Sequence, residues 1–434
     1  MVSISFLGGC REVGRSAVLV ESKSGIKCML DYGIRFRGEE RLPYSTNIEN
    51  LKAIALTHSH IDHSGGLPFL YKTKKVPFFT NSISLALTEI LIKDMIKISK
   101  YPYPFGYREL DYLKRNSYFL KNGTRQKIAD NFYITFIDAG HIPGSASILL
   151  EVDHKTILYS GDINTQISNL THSANYLDIP EIDTLIIEST YALRKHPPRE
   201  QLEKEFIEKI MNVIDNGGTV LIPAFGVARS QEALLILEKY NYNGKIFIDG
   251  LARKISKLFL DHPDFIKDIK SFRNALNKAQ FVSRPKTRAN IKKSNGVIIS
   301  PSGMLKGGAA IEYIQSILVD PLSAIYLVGY QVEGTPGRNL LDEGIFELKE
   351  SRKNKPNFDL RIEAQCEYDY FDFSSHSDGI HIHDYIENLN FKRNANSDIF
   401  CIHGDNKSTT SLASELVNKN YNSVAPETGE IYQV

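Results

Sequence analysis

Leu56-Thr-His-Ser-His-Ile-Asp-His63 closes a short apolar run that begins at Ala53, and it packs three imidazoles and a carboxylate into six residues, from His58 to His63. Ser64-Gly65-Gly66 and a Leu-Pro-Phe-Leu run follow. The nitrogen donors of His58, His60 and His63 and the oxygen donor of Asp62 leave the strand through a tight turn, a combination that suits Zn²⁺. Mixed His and Asp donors suit a catalytic site more than a structural one. A histidine-rich surface loop without a ligand is the bland reading, and H-x-H-x-D-H placed straight after an apolar strand is too dense for it.

The 434-residue chain is long enough for two or more domains, each with its own core. With 42% hydrophobic and 24% charged residues it reads as globular, not disordered. No apolar run approaches the ~20 residues that span a bilayer, and the N-terminus lacks the charged-then-apolar layout of a signal peptide. Cys10, Cys28, Cys366 and Cys401 are widely spaced and form no C-x-x-C. That argues for reduced thiols, a cytoplasmic location and a metal site without sulfur. The net charge of +1 gives no reason to expect a polyanionic partner. Its distribution does. Between Arg253 and Lys293 twelve Lys/Arg face three Asp, an excess that fits a phosphate-facing wall better than a solvated helix face.

Outward from the metal stretch the chain starts as short strands. Ser3-Ile-Ser-Phe-Leu7, Ala17-Val-Leu-Val20 and Ile26-Lys-Cys-Met-Leu30 are separated by glycine turns, and the third ends in Asp31-Tyr32-Gly33. Helical spacing follows over 83–98, with Asn81 or Ser82 as cap. Strands resume at Phe132-Tyr-Ile-Thr-Phe-Ile137, Ala146-Ser-Ile-Leu-Leu150 and Thr156-Ile-Leu-Tyr159, each next to a candidate ligand, His141 or Asp162. Thr184-Leu-Ile-Ile187 ends on Glu188. From about 194 strands alternate with helices, which predicts βαβ units and a mostly parallel sheet in a second, α/β domain over 193–350. The polar, proline-containing stretch 350–356 reads as its exit linker.

The candidate ligands run in the order Asp31, His58/His60/Asp62/His63, His141, Asp162, then His376 and His403 near the C-terminus. This order on alternating strands resembles the metallo-β-lactamase superfamily, over the whole chain. Gly8-Gly9-Cys10-Arg11-Glu12-Val13-Gly14-Arg15-Ser16, Gly140-His141-Ile142-Pro143-Gly144-Ser145 and Tyr159-Ser160-Gly161-Asp162 resemble its β-CASP branch. So do Glu188-Ser189-Thr190-Tyr191, Pro223-Ala-Phe-Gly-Val-Ala-Arg-Ser-Gln-Glu232, Pro301-Ser-Gly-Met304 and Gly329-Tyr-Gln331. That branch includes the cleavage and polyadenylation nuclease subunit and its archaeal relatives. The chain opens directly on a lactamase-type strand, so the KH domains that some members carry in front are not expected.

The resemblance implies an αββα sandwich formed by 1–192 and 351–434, with a β-CASP α/β domain inserted at 193–350. It implies two Zn²⁺: His58, His60 and His141 on one, Asp62, His63 and His403 on the other, with Asp162 as the bridge. Ions ~3.5–4 Å apart leave room for a hydroxide between them, and Asp31 suits a supporting role behind a ligating imidazole. His376, oriented by Glu188, is the expected proton donor to the leaving 3′ oxygen. The histidine at 403 and the serine-rich setting of His376 point within the branch to RNA and to the polyadenylation-factor type. The implied activity is hydrolysis of RNA phosphodiesters, as an endonuclease, a 5′-to-3′ exonuclease or both, in 3′-end processing or decay. A homodimer and an RNA-processing complex fit the family's habit. A small-molecule hydrolase of the same fold and a non-catalytic RNA-binding homologue are the alternatives; the inserted basic domain speaks against the first and the intact ligand set against the second.

Other residues weigh less. Ser302 and Gly303 could set backbone N–H groups around a phosphate, Arg229 could pair with one bidentately, and Gly144 and Ser145 could lie near the scissile bond. Each has an ordinary turn or salt-bridge reading of equal standing. The other six histidines, at 154, 172, 196, 262, 381 and 383, are read as surface or core residues.

Overall fold

The computed structural model describes residues 1–36, 38–292, 294–350, 358–392 and 398–434. It divides into two compact units: Met1–Ile167, Thr171–Lys195 and Ser375–Val434 form one, Ser168–Leu170 and His196–Ser374 the other.

The first unit opens with β1 (Ser3–Gly8), β2 (Ala17–Glu21), β3 (Lys27–Leu30), β4 (Leu51–Ala55), β5 (Phe78–Thr80) and β6 (Ser117–Phe119), adjacent in that order. A second sheet follows with β7 (Gln126–Ala129), β8 (Phe132–Asp138), β9 (Ala146–Val152), β10 (Lys155–Tyr159) and β11 (Thr184–Glu188). Side chains alternate across each strand, so one face of each sheet can be apolar. Phe6, Val18, Val20, Phe132, Phe136, Ile148, Leu150 and Ile186 from both sheets make one buried cluster. Each contributes ~1.5–3 kcal/mol by leaving water. The opposite face of the first sheet, with Leu19, Met29 and Ile54, packs on helices Ser82–Ile98 and Tyr107–Arg115 through Ile92, Met95, Leu110 and Leu113. The Asn81 side chain accepts Ser84 N–H and caps the first of these helices, as its sequence predicts.

The second unit is a parallel sheet. Its strands are β12 (Val220–Pro223), β13 (Lys245–Ile248), β14 (Ala279–Phe281), β15 (Gly296–Ser300), β16 (Ala324–Leu327) and, after the antiparallel pair β17 (Ile345–Glu350) and β18 (Phe358–Glu363), β19 (Glu367–Tyr370). Their spatial order is β14-β13-β15-β12-β16-β19. Val220-Leu-Ile222 and Val297-Ile-Ile299 are fully buried, the continuous apolar runs that a doubly covered parallel sheet demands. β19 corrects the expected exit at 350/351. It pairs in parallel with β16, so the unit continues to Ser374. Its sequence, Glu-Tyr-Asp-Tyr, is that of a half-covered edge strand and carries no buried-strand signal. All of the proposed linker after Glu350 lies outside the described residues. A second departure is the tripeptide Ser168–Leu170. The backbone N–H groups of Asn169 and Leu170 donate to the buried Glu232 carboxylate at 2.9 and 3.0 Å, and Arg199 and Lys239 neutralise its neighbour Glu203 at 2.8 and 2.7 Å.

The chain then completes the first unit. β20 (Asp398–Ile402) pairs in parallel with β11, β21 (Asn422–Val424) extends that sheet, and β22 (Ile431–Gln433) lies antiparallel on β1. Helices Gly379–Glu387 and Asn406–Asn418 cover Leu185, Ile187, Ile399 and Cys401 with Ile382, Tyr385, Leu412 and Leu416. The result is the four-layer αββα sandwich expected from the sequence. The four cysteines are free and buried. Among the described residues no helix is long and apolar enough to cross a membrane.

Candidate metal centre

The quoted stretch leaves β4 at Ala55 and turns into a single helical turn, Ile61–Ser64, with His60 at its N-cap. The Asp31–Gly33 turn after β3 is laced against it. Tyr32 N–H donates to His63 O at 2.9 Å and Ser16 N–H to Asp62 O at 2.8 Å. Position 33 must be glycine here, because a Cβ would sit 1.6 Å from Asp62 O. His141 comes from the turn after β8, Asp162 from the end of β10, Glu188 from the end of β11 and His403 from the end of β20. Strand ends of both sheets thus gather residues that lie up to 345 positions apart in the sequence, from 58 to 403.

Three donor groups result among the described residues. His58, His60, His141 and Asp162 form one, Asp62, His63 and His403 a second, and Asp162, Glu188 and His376 a third, the donor atoms in each group lying within 4.8 Å of one another. Asp162 divides its oxygens between the first two. Oδ2 lies 3.4 Å from His58 Nε2 and 3.6 Å from His141 Nε2. Oδ1 lies 3.2 Å from His63 Nε2 and 3.4 Å from His403 Nε2. His60 enters through Nδ1, 3.1 Å from His58 Nε2 and 3.2 Å from His141 Nε2. Asp62 Oδ2 stands 3.8 Å from His403 Nε2.

These residues fit divalent cations. Donors around a tetrahedral ion with bonds of ~2.0–2.2 Å are roughly 3.3–3.6 Å apart, close to the spacings within each group. Asp162 Oδ1 is buried without a hydrogen-bond partner, a cost of ~1–3 kcal/mol that a cation removes. Protonation points the same way. Burial, reinforced by the nearby His63 ring, holds His58 well below the ordinary histidine value, so it is a neutral lone-pair donor. Burial also opposes charge on His63, but the Asp162 and Asp31 carboxylates outweigh it and drive its value up. At Asp162 burial favours the neutral acid, yet the surrounding imidazoles, His403 and His63 foremost, keep it ionised well below the usual carboxylate range.

The rings of His63, His141 and His403 are held from behind. Asp31 Oδ2 accepts His63 Nδ1–H at 2.7 Å, and its carboxylate also accepts Thr57 N–H at 2.8 Å, Thr57 Oγ1–H at 2.8 Å and Tyr159 O–H at 2.9 Å. Asp31 is fully buried and reaches the cluster through His63. His141 Nδ1–H donates to Ser375 O at 2.7 Å, and Ser16 Oγ meets His403 Nδ1 at 2.8 Å. Ser16, Thr57, Tyr159 and Ser375 escaped the sequence reading. All four lie inside or beside quoted motifs, but nothing in a lone hydroxyl or carbonyl shows which ring it will meet. His376 joins the cluster at its edge, in the group with Asp162 and Glu188: Nδ1–H donates to Glu188 Oε2 at 2.8 Å, while Nε2 is 3.9 Å from Asp162 Oδ2. Glu188 is fixed in turn by Ile163 N–H at 2.6 Å.

The five expected substrate contacts fare differently. Ser145 Oγ accepts the N–H groups of His141 and Ile142 at 3.0 and 3.2 Å, and Gly144 O accepts Asn81 Nδ2–H at 2.6 Å and Ser84 Oγ–H at 2.8 Å. Both residues build the His141 turn, and Ser145 is buried. Arg229, Ser302 and Gly303 belong to the second unit, at the carboxyl ends of β12 and β15. The basic window is partly neutralised by acids outside it: Arg288 pairs with buried Asp249 at 2.6 Å and Lys278 with Glu238 at 2.7 Å. Lys293 lies outside the described residues.

Two facing sheets with a His/Asp cluster at their strand ends define a metallo-β-lactamase-fold protein. Comparison with known proteins narrows the class. Residues 230–340 match the Beta-Casp domain, 361–426 the Zn-dependent metallo-hydrolase RNA specificity domain, and 10–182 the Anti-Pycsar protein Apyc1 family. The chain is 34% identical to Probable RNase MJ4 of Methanocaldococcus jannaschii, over 99% of both chains. It is 33% identical to RNase aCSPSF2 of Saccharolobus solfataricus, over 86% of this chain and 74% of that one. Transcription termination factor FttA of M. jannaschii is 31% identical over 93% of this chain and 67% of its own. A protein of unknown function from Enterococcus faecalis shares the fold over 99% of both chains, with a TM-score of 0.65 at 13% identity. The chain belongs to the β-CASP ribonuclease branch of the metallo-β-lactamase superfamily.

Proposed function

We propose that this chain is a two-zinc ribonuclease that hydrolyses RNA phosphodiesters to 5′-phosphate and 3′-hydroxyl ends. The observation that carries the reading is Asp162, whose two oxygens face two separate histidine groups. His58, His60 and His141 would hold one Zn²⁺, Asp62, His63 and His403 the other, with Asp162 shared. Ions bound there supply Lewis acidity at the phosphoryl oxygens and bring the pKa of a water to about neutrality. The protein supplies orientation and a proton. Asp31, Ser375 and Ser16 fix the rings of His63, His141 and His403. Glu188 holds His376 with Nε2 toward the cluster. As the water oxygen joins phosphorus and the bond to O3′ breaks, His376 gives its Nε2 proton to O3′. The names of the ribonuclease relatives support RNA as the substrate, in processing or decay.

The test incubates 5′-labelled and internally labelled RNA with the purified chain, with and without chelator, maps the product ends and counts metal per chain. Expected are 5′-phosphate ends, two zinc ions, loss of cleavage on chelation and recovery with Zn²⁺. Products ending in 2′,3′-cyclic phosphate would overturn the mechanism, and hydrolysis of thioesters or lactams without RNA cleavage would overturn the substrate.

A further inference from the structure

In the second unit the loops that follow β12, β15 and β16 lie side by side at the carboxyl end of the parallel sheet, because those three strands are neighbours in it. Phe225, two residues beyond β12, keeps 36% of its surface exposed at that edge. Its ring rests on bare backbone. A Cβ at Gly329 would lie 2.9 Å from Phe225 Cε2, and one at Gly303 would lie 3.3 Å from Phe225 Cδ2 and 3.1 Å from Phe225 N. Any side chain at either position would push the ring away. Buried Gln331 ties the two glycine segments together, donating from Nε2 to Gly303 O at 2.9 Å and to Gly329 O at 2.7 Å. The Phe225 carbonyl accepts Ser230 N–H at 3.2 Å and Ser230 Oγ–H at 2.7 Å, and Ala224 N–H donates to Ser300 O at 3.1 Å.

We propose that Phe225 is a stacking platform for one unpaired nucleobase of the RNA. The proposal rests on the ribonuclease reading above and names the form of substrate, a single-stranded segment. An aromatic ring supported on two glycine backbones and anchored through its carbonyl has little freedom left to lose, and its open face is the partner that a flat π-system needs. The chemistry around it is that of a nucleotide site: Arg229 opens the helix whose Ser230 holds Phe225, and Ser302 precedes Gly303. A docking peptide would need a contiguous apolar patch, whereas the residues here are glycine, serine and arginine with one further exposed aromatic, Tyr330, next to Gly329. Stacking is indifferent to base identity, so the platform orders an unpaired strand without imposing a sequence.

The test measures KM and kcat of the metal-loaded chain on a short single-stranded RNA, alongside hydrolysis of bis(p-nitrophenyl) phosphate, which has no base to stack. Phe225→Ala should raise KM about 5- to 100-fold, with kcat and the small-ester rate unchanged. Phe225→Trp should retain binding. Phe225→Leu, which keeps the apolar contact with the glycines but removes the π-face, should lose it. An RNA series carrying one abasic ribose at successive positions should contain one position that weakens binding by the parent and not by Phe225→Leu. KM values for Ala and Leu variants within two-fold of the parent, on an RNA that the parent cleaves, would overturn the platform. An RNA the parent neither binds nor cleaves would overturn the ribonuclease reading and the platform with it.

Discussion

Replacing Asp31 with Asn changes one oxygen to an NH₂ group at a fully buried position. Its consequences can be worked out atom by atom. Oδ2 accepts three donors, from Thr57 Oγ1, His63 Nδ1 and Tyr159 O–H, while Oδ1 accepts only Thr57 N–H. The amide therefore orients its oxygen toward the three donors and turns NH₂ against Thr57 N–H. Thr57 N–H loses its acceptor and the amide N–H groups meet none there, at ~1–3 kcal/mol for a buried donor, and three charge-assisted hydrogen bonds fall to about half their strength. The net loss of stability should be ~2–4 kcal/mol. His63 keeps its Nδ1–H partner but loses the carboxylate that strengthens it as a donor, which weakens metal affinity ~10- to 100-fold. The group that contains His63 is touched directly; the other is reached only through Thr57 Oγ1, which also meets His58 Nδ1 at 3.1 Å. Titration with a zinc-buffering chelator should thus release one ion ahead of the other, where the parent releases both over a narrower range. Added zinc should restore cleavage. Unchanged affinity at both positions, alongside a lowered melting temperature, would refute the argument and reduce Asp31 to a core-capping residue.

Three other outcomes follow from the geometry. His376→Ala should lower turnover ~10²–10⁴-fold with both metals retained; loss of metal in the purified variant would make His376 a ligand instead of an acid. Gly33→Ala places a methyl group 1.6 Å from Asp62 O, so the turn must open; thermal unfolding should show a loss of at least ~3 kcal/mol, and metal content should fall with it. At Glu203 burial favours the neutral acid, but hydrogen bonds from Arg199, Lys239 and Asn169 prevail and hold the carboxyl below its ordinary value of 4.5. A depressed folded-state value contributes stability above the unfolded value, and that contribution disappears as pH falls through the folded one. The stability gap between Glu203→Gln and the parent should therefore be full above about pH 4.5 and close in more acidic solution; a gap constant with pH would refute the pairing.

Much of the site could be read from the chain because its densest part is local. His58, His60, Asp62 and His63 are brought together by one strand end and one helical turn, so spacing alone reveals them. Strand periodicity placed β8 to β11, and the Asn81 cap was legible from residue type. The edge strand β19 was not, because a half-covered strand of alternating Glu, Tyr and Asp looks like polar loop. The Ser168–Leu170 excursion was equally hidden, since its anchor is a buried carboxylate more than sixty positions away. The role of Ser145 in its turn was hidden for a related reason: its hydroxyl accepts two backbone N–H groups, and a sequence does not say which backbone a serine will meet.

By itself, then, the sequence determined the donor types, their order and the family that shares them, because these are properties of residue identity and short spacing. Tertiary structure decided how the donors are shared. Parallel pairing of β20 with β11 brings His403 beside Glu188, and the turn after β10 sets Asp162 with one oxygen toward each histidine group. Those are long-range consequences of strand register. Register is set by which apolar faces bury against each other across the whole sandwich, and no window of the chain contains it.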